Sequence, residues 1–137
     1  MSDYLLDTNH VSAALAPVSP VRERLYRANL TGQRLVVCVP VLCELQAGIQ
    51  GLSRPEPCLR QLRRLLGFVR IRPLEPEIAD HYGAIHLELR RSGRVMSQVD
   101  MILAAIVRQS GAILLTTDRD FEALPDVRTA NWTKAQG

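Results

Sequence analysis

Residues 4–7 read YLLD, a short apolar run that ends in an aspartate. Residues 113–118, ILLTTD, repeat that pattern near the other end of the chain. Between these two runs, apolar strand-like stretches alternate with segments of helical period, which predicts a parallel sheet with crossover helices. In an open parallel sheet, ligands bind in the crevice at the carboxyl ends of the strands. Asp7 and Asp118 are therefore expected at one crevice of an α/β fold.

The boundaries of the elements follow from the same periodicity. Strands are predicted at residues 4–6, 35–39, 68–71, 113–116 and 127–130. Helices are predicted at residues 21–29, 41–50, 57–66, 76–92 and 98–109. The first four strands are almost continuously apolar, as is typical of strands buried on both faces. Ser19 followed by Pro20 is a cap and a first-turn proline, which marks a helix start.

Length and composition predict a single domain over residues 1–137. The chain is 47% apolar and 23% charged, which is ordinary for a soluble globular protein. Residues 1–4 resemble no export signal, and no apolar run approaches the roughly 20 residues that span a bilayer. A cytoplasmic protein without a membrane partner is expected. Cys38, Cys43 and Cys58 lack paired metal-ligand spacing, and two lie in apolar runs, which predicts buried free thiols.

The positive charge is concentrated in one region of the chain. The net charge is +3, and 16 of the 17 basic residues are arginine. Residues 54–72 contain six arginines against the single acid Glu56. Of these, Arg60, Arg63 and Arg64 fall on one helical face. Such a face fits contact with nucleic-acid phosphates, and it fits equally a helix face that is only solvated.

Two further acids stand in apolar surroundings. Asp100 opens the apolar helix pattern of residues 101–107, and Glu44 lies one turn into the apolar segment 41–48. Taken singly, Asp7, Asp100 or Asp118 could cap a helix, and Glu44 could form a buried ion pair with an arginine. Taken together, acids in one pocket repel each other unless a proton or a cation intervenes. Because hard oxygen ligands select Mg²⁺ or Mn²⁺, and the histidines lack metal spacing, the pattern predicts a divalent-cation site.

Five ordered motifs carry a resemblance to a known family. They are residues 5–9 (LLDTN), 41–48 (VLCELQAG), 99–105 (VDMILAA), 114–121 (LLTTDRDF) and 127–132 (VRTANW). In order and spacing they resemble the PIN-domain ribonucleases of the VapC toxin family, over essentially the whole chain. The resemblance implies a three-layer α/β/α sandwich around a parallel five-stranded sheet.

The resemblance also implies the roles of individual acids. Asp7 and Asp100 would be the principal ligands of Mg²⁺, with Mn²⁺ as a substitute. Glu44 and Asp118 would complete the site directly or through water, and Asp118 stands where many relatives carry asparagine. Asp120 is a reserve acid that is expected to be a surface residue at a helix start. Supporting hydroxyl and amide groups are expected from Thr8, Asn9 and Thr116.

The function that the resemblance implies is that of an endoribonuclease toxin. It would hydrolyse phosphodiester bonds of structured RNA, often a tRNA, and so inhibit translation. A VapB-like antitoxin would neutralise it, often by placing an arginine in the acidic pocket. A homodimer or a toxin–antitoxin hetero-oligomer is expected, with operator DNA bound only through the antitoxin.

Three other functions are alternatives to this one. One is a non-catalytic PIN-like module that binds RNA or a partner, and another is a housekeeping PIN ribonuclease without an antitoxin. The third is phosphoryl transfer with Asp7 as the phosphoacceptor. Phosphoryl transfer is disfavoured because residue 9 is asparagine rather than a second acid, and because the single lysine, Lys134, lies in the tail.

Overall fold

The apolar runs form the strands of one parallel sheet in the computed structural model, which describes residues 3–134. The strands are β1 (Asp3–Leu6), β2 (Arg34–Cys38), β3 (Arg70–Arg72), β4 (Ile113–Leu115) and β5 (Thr129–Ala130). Their order across the sheet is β3-β2-β1-β4-β5, and every neighbouring pair is parallel. The predicted parallel five-stranded sheet is confirmed.

Six helices connect and flank the strands. They are α1 (Thr8–Ala14), α2 (Pro20–Leu30), α3 (Val39–Gln50), α4 (Glu56–Leu65), α5 (Glu77–Arg91) and α6 (Gln98–Ser110), and a short 3-10 helix covers Arg119–Ala123. Ser19 caps α2 by accepting a hydrogen bond from the Arg22 amide, as its sequence position indicates. Among residues 3–134, no helix combines the length and the apolar character that crossing a bilayer requires. The architecture is the α/β sandwich that the sequence predicts.

The chain adds β2 and β3 on one side of β1 and then β4 and β5 on the other. The crevice lies at the carboxyl end of β1, where this order of addition reverses. β2 lies on one side of β1, and β4 lies on the other, with Leu6 level with Leu115. The backbone amide of Asp7 donates to the carbonyl of Leu115 at 3.0 Å. The segments that leave β1 and β4 are therefore held side by side at the carboxyl edge of the sheet, where α/β proteins bind ligands.

The centre of the sheet supplies the rigid base of that crevice. Leu5 and Leu6 of β1 and Leu114 and Leu115 of β4 are each 0% exposed. Burial of a leucine side chain stabilises a fold by about 1.5–3 kcal/mol. The residues that follow these strands are consequently anchored by the best-packed part of the molecule.

Two sequence predictions are corrected by the structure, and one helix is found that the sequence did not predict. The strand predicted at residues 68–71 begins only at Arg70, and Ile71 is 50% exposed because β3 is an edge strand with one neighbour. Cys43 is exposed rather than buried, because α3 buries the face that carries Val41 and Leu45. Helix α1 was not predicted, since its seven residues are too few for a clear period.

Candidate active site

Asp7 lies at the centre of the acidic pocket, directly after β1. Its Oδ1 caps α1 by accepting the Thr8 amide at 2.7 Å, and its Oδ2 accepts the Thr116 hydroxyl at 2.7 Å. The residue is only 5% exposed, and burial is the main reason that its pKa is raised. The negative charges of Asp118 and Glu44 raise the pKa of Asp7 further, against the lowering effect of the two hydrogen bonds. Asp7 therefore caps α1, and it is also a carboxylate whose ionisation is disfavoured by burial and by nearby negative charge.

Glu44 forms the exposed rim of the pocket, in the second turn of α3. The sequence suggested a partly buried carboxylate, but the exposed side of α3 carries it. Its Oε1 accepts the Thr8 hydroxyl at 2.7 Å. Within residues 3–134, the arginine ion pairs do not include Glu44, so the buried-ion-pair alternative finds no support.

Asp100 approaches the pocket from the first turn of α6. Ser97 caps this helix by accepting the Asp100 amide at 3.1 Å, so the alternative that Asp100 is itself the cap is wrong. Asp100 is half-buried, and its pKa is raised to about 6. Burial is the largest cause and the charge of Asp7 the next, and a hydrogen bond with Ser97 opposes them. A bound cation would favour the ionised form of Asp100 and so offset the cost of burying its charge.

Asp118 and Asp120 complete the acidic side of the pocket. Asp118 caps the 3-10 helix, accepting the Asp120 amide on Oδ1 at 2.8 Å. Asp100, Asp118 and Asp120 each offer a carboxylate oxygen, and these oxygens lie within 4.8 Å of one another. The expected surface position of Asp120 at a helix start is confirmed. Its proximity to the other two carboxylates was not predicted, because spacing alone does not show how a 3-10 turn folds back.

The supporting polar groups are also assembled as expected. Asn9 donates through Nδ2 to Asp7 Oδ2 at 3.3 Å and to Thr116 Oγ1 at 3.2 Å. Thr116 in turn accepts the Asp118 amide at 3.0 Å. One buried residue on this network, His10, is not indicated by the sequence. Its burial depends on helix α1, which the sequence does not predict, and on a distant contact with Trp132.

The pocket has the chemistry of a divalent-cation site. The charges of Glu44 and Asp118 raise the pKa of both Asp7 and Asp100, and the charge of Asp7 also raises the pKa of Asp100. Their donors are hard carboxylate oxygens, the ligand type that Mg²⁺ and Mn²⁺ prefer. Mutual repulsion that raises the pKa of Asp7 and Asp100 would be offset by such an ion. The residues present therefore fit Mg²⁺.

Comparison with known proteins agrees with this geometry. The PIN domain family matches residues 4–127. Ribonuclease VapC2 of Haemophilus influenzae is 32% identical over 133 residues, covering 96% of this chain and 99% of that protein. The tRNA(fMet)-specific endonuclease VapC of Shigella flexneri is 30% identical, covering 97% of this chain and 100% of that protein. A DNA-bound VapBC structure from Salmonella typhimurium superposes with a TM-score of 0.82 at 25% identity, covering 96% of this chain and 99% of the matched chain. The chain therefore belongs to the PIN-domain family, among its VapC ribonucleases.

Proposed function

We propose that this chain is the toxin of a toxin–antitoxin pair and that its acidic pocket binds Mg²⁺ to hydrolyse RNA. The observation that carries the proposal is the convergence of Asp7, Glu44, Asp100 and Asp118 at the reversal point of the sheet. The pKa values of Asp7 and Asp100 are raised by burial and by neighbouring negative charge, and acids perturbed in this way cluster at functional sites. Residues 1–137 would form one PIN domain that acts on RNA in the cytoplasm.

The ligands of the ion are proposed from burial and position. Burial is the largest cause of the raised pKa of both Asp7 and Asp100, and these two acids are assigned as its principal ligands. Asp118 and Glu44 would bind the ion directly or through water. Mn²⁺ is the proposed substitute, because it accepts the same oxygen ligands.

The residues of the chain would then divide the chemistry between them. A bound Mg²⁺ supplies Lewis acidity, which screens the phosphate charge and lowers the pKa of water. Glu44 is exposed at the rim and held by Thr8, so it can orient an attacking water and accept its proton. Attack on phosphorus breaks the bond to the 3′-oxygen, which takes a proton from solvent, and the products are a 3′-hydroxyl and a 5′-phosphate. Hydrogen bonds from Thr116 and Asn9 keep Asp7 fixed during this step.

A structured RNA such as a tRNA is the proposed substrate. The Shigella flexneri relative is named as an endonuclease specific for tRNA(fMet). In the present chain, Arg60, Arg63 and Arg64 of α4 are all exposed, which leaves their guanidinium groups available to phosphates. Loss of a tRNA would inhibit translation, which is the proposed toxic effect.

The proposed partner is a VapB-like antitoxin. An open, mainly apolar groove runs from Thr8 and Glu44 at the pocket along α1 and α3 to Leu52. An extended antitoxin segment with apolar side chains would fit this groove and could deliver an arginine to the carboxylates. The matched structure from Salmonella typhimurium is a VapBC complex bound to DNA. By analogy, we propose a homodimer or a toxin–antitoxin hetero-oligomer here, with operator DNA bound through the antitoxin.

Cleavage of total RNA by the purified chain, freed of any bound antitoxin, tests the enzymatic part. The chain is expected to produce discrete fragments with 5′-phosphates in Mg²⁺ or Mn²⁺ and none in EDTA. Asp7→Asn and Asp100→Asn should abolish cleavage, whereas Glu122→Gln, an exposed acid outside the four, should leave it unchanged. Intact RNA from a folded chain that binds no metal would instead favour the non-catalytic module.

Co-expression with the product of a small adjacent gene tests the partner. A toxin should form a stable complex with that product and lose its cleavage activity. Ala16 lines the apolar groove away from the acids, so Ala16→Arg should weaken the complex while cleavage by the free chain persists. A cleaving chain that meets no inhibitor of this kind would be a housekeeping ribonuclease.

A further inference from the structure

His10 occupies a buried position between the acidic pocket and the end of the described chain. It is 0% exposed on the inward face of α1. On one side its Nε2 lies 3.0 Å from the backbone nitrogen of Trp132. On the other side its Nδ1 lies 2.8 Å from Oδ1 of Asn9. Both ring nitrogens are therefore engaged.

These two partners determine which nitrogen carries the proton. The backbone N–H of Trp132 can only donate, so Nε2 must accept and be unprotonated. The proton of the neutral ring then lies on Nδ1 and is donated to Asn9 Oδ1. Burial, and next the charge of Arg24, lower the pKa of His10 to about 4, so the ring is neutral at physiological pH.

The donated proton in turn sets the orientation of the Asn9 amide. Asn9 Oδ1 receives two donors, His10 Nδ1–H and the Thr117 amide at 3.1 Å. Its Nδ2 is consequently turned toward Asp7 Oδ2, at 3.3 Å. If the amide were reversed, its oxygen would face the Asp7 carboxylate, and two acceptors would oppose each other. The proton on His10 therefore acts together with the Thr117 amide to favour the orientation in which Asn9 supports Asp7.

The other side of His10 is held by the segment after β5. The Trp132 ring packs against Tyr4 with centroids 4.8 Å apart, and the Arg24 guanidinium carbon lies 4.4 Å from the ring centroid. β5 itself is only two residues long and pairs with β4. Packing of the Trp132 ring therefore holds its backbone amide, just after a short edge strand, in position to donate to His10.

We propose that His10 is a positioning residue for the nuclease site: it donates from Nδ1 to hold the Asn9 amide toward Asp7, and it ties that arrangement to the Trp132 segment. The proposal rests on the proposed role of Asp7 as a metal ligand. Partners that orient a metal ligand typically change metal affinity or activity by about 10–100-fold when removed. The His10 backbone amide donates to the Asp7 carbonyl at 3.1 Å whatever the side chain is, whereas the His10 ring reaches the Asp7 carboxylate through Asn9. The effect of the ring is therefore on the site and not on RNA contact.

Two substitutions separate the two hydrogen bonds. In His10→Asn the amide nitrogen can take the place of Nδ1, which keeps the donor to Asn9 but loses the acceptor for Trp132. In His10→Gln the amide oxygen can take the place of Nε2, which keeps the acceptor for Trp132 but loses the donor. His10→Leu loses both at similar volume. Glu122→Gln is the control, because it changes an exposed side chain outside this network.

The measurements are Mg²⁺ affinity by calorimetry, kcat and KM for RNA, and Tm. We expect His10→Leu and His10→Gln to lower Mg²⁺ affinity and kcat by about 10-fold or more with KM unchanged. His10→Asn should keep most of both, and Glu122→Gln should leave Mg²⁺ affinity unchanged. The proposal is overturned if the Gln variant keeps Mg²⁺ affinity while the Asn variant loses it, or if the losses merely follow Tm.

Nitrogen NMR of the metal-free protein gives a second test that does not depend on the metal. The proton of His10 should be found on Nδ1 at neutral pH, and a proton on Nε2 would overturn the proposal. Undiminished Mg²⁺ binding by Asp7→Asn would have a different meaning, because it would remove the proposed metal site and leave the hydrogen-bond chain of His10 in place.

Discussion

Replacing Asp100 by asparagine should stabilise the metal-free protein. The pKa of Asp100 rises from 3.8 to about 6 on folding, mainly through burial and then through the charge of Asp7. A difference of that size has an upper bound of about 3 kcal/mol, since each pH unit is worth about 1.4 kcal/mol. Because Asp100 is only half-buried, solvent screening reduces the expected gain to about 1–1.5 kcal/mol. For a chain of 137 residues this corresponds to a Tm increase of about 3–6 °C.

The sign of the effect depends on pH. With a raised pKa, the folded state holds the proton of Asp100 more tightly than the unfolded state does. Below pH 3.8 the carboxyl is protonated in both states and costs nothing. The cost grows between pH 3.8 and about 6 and is fully present above that range. The advantage of Asp100→Asn should therefore be full at pH 7.5 and smaller at pH 4.5.

Thermal unfolding in EDTA, followed by circular dichroism at pH 7.5 and pH 4.5, measures this gain. Glu122→Gln removes an equal charge from an exposed side chain and should change the free energy of unfolding by less than about 0.5 kcal/mol. Excess Mg²⁺ should reverse the order, because it stabilises the wild type by binding and the variant less. Equal or lower stability of Asp100→Asn in EDTA at pH 7.5, or a gain that is undiminished at pH 4.5, would refute the reasoning.

Three further changes probe the neighbours of the acids. Asp120→Asn should weaken Mg²⁺ binding by up to about 10-fold in calorimetry, because Asp120 lies in the carboxylate cluster, whereas Glu122→Gln should not. Thr8→Val should lower kcat by about 10-fold in the RNA cleavage assay, because Glu44 loses the hydroxyl that holds it; an unchanged kcat would show that Glu44 needs no such support. Arg63→Gln should reduce the slope of log affinity against log salt for RNA by up to about 1, and an identical slope would remove α4 from the RNA contact.

Most of the fold could be predicted because its signals are local. The buried strands β1 and β4 are short apolar runs, and each is followed by the polar residues of the pocket. The exposure of β3 could not be predicted in the same way. It depends on which strand lies at the edge of the sheet, which is a property of the whole topology rather than of residues 68–71.

The acids of the site could be predicted in identity but only partly in environment. For Asp7 the sequence allows either a helix cap or an acid of the pocket, and the structure shows both roles in one residue. Glu44 has buried neighbours at Val41 and Leu45, yet the rotation of α3 leaves its own side chain exposed. The role of His10 depends on a contact with Trp132, 122 positions away, which no local pattern shows.

Anomalous diffraction from crystals soaked in Mn²⁺ tests most directly whether these acids form one divalent-cation site. We expect one peak, or two peaks about 3.5–4 Å apart, bounded by the carboxylates of Asp7, Asp100 and Asp118. The peaks should vanish in crystals of Asp7→Asn. A fully open pocket without a peak, in a protein that binds Mn²⁺ in solution through other residues, would contradict the claim.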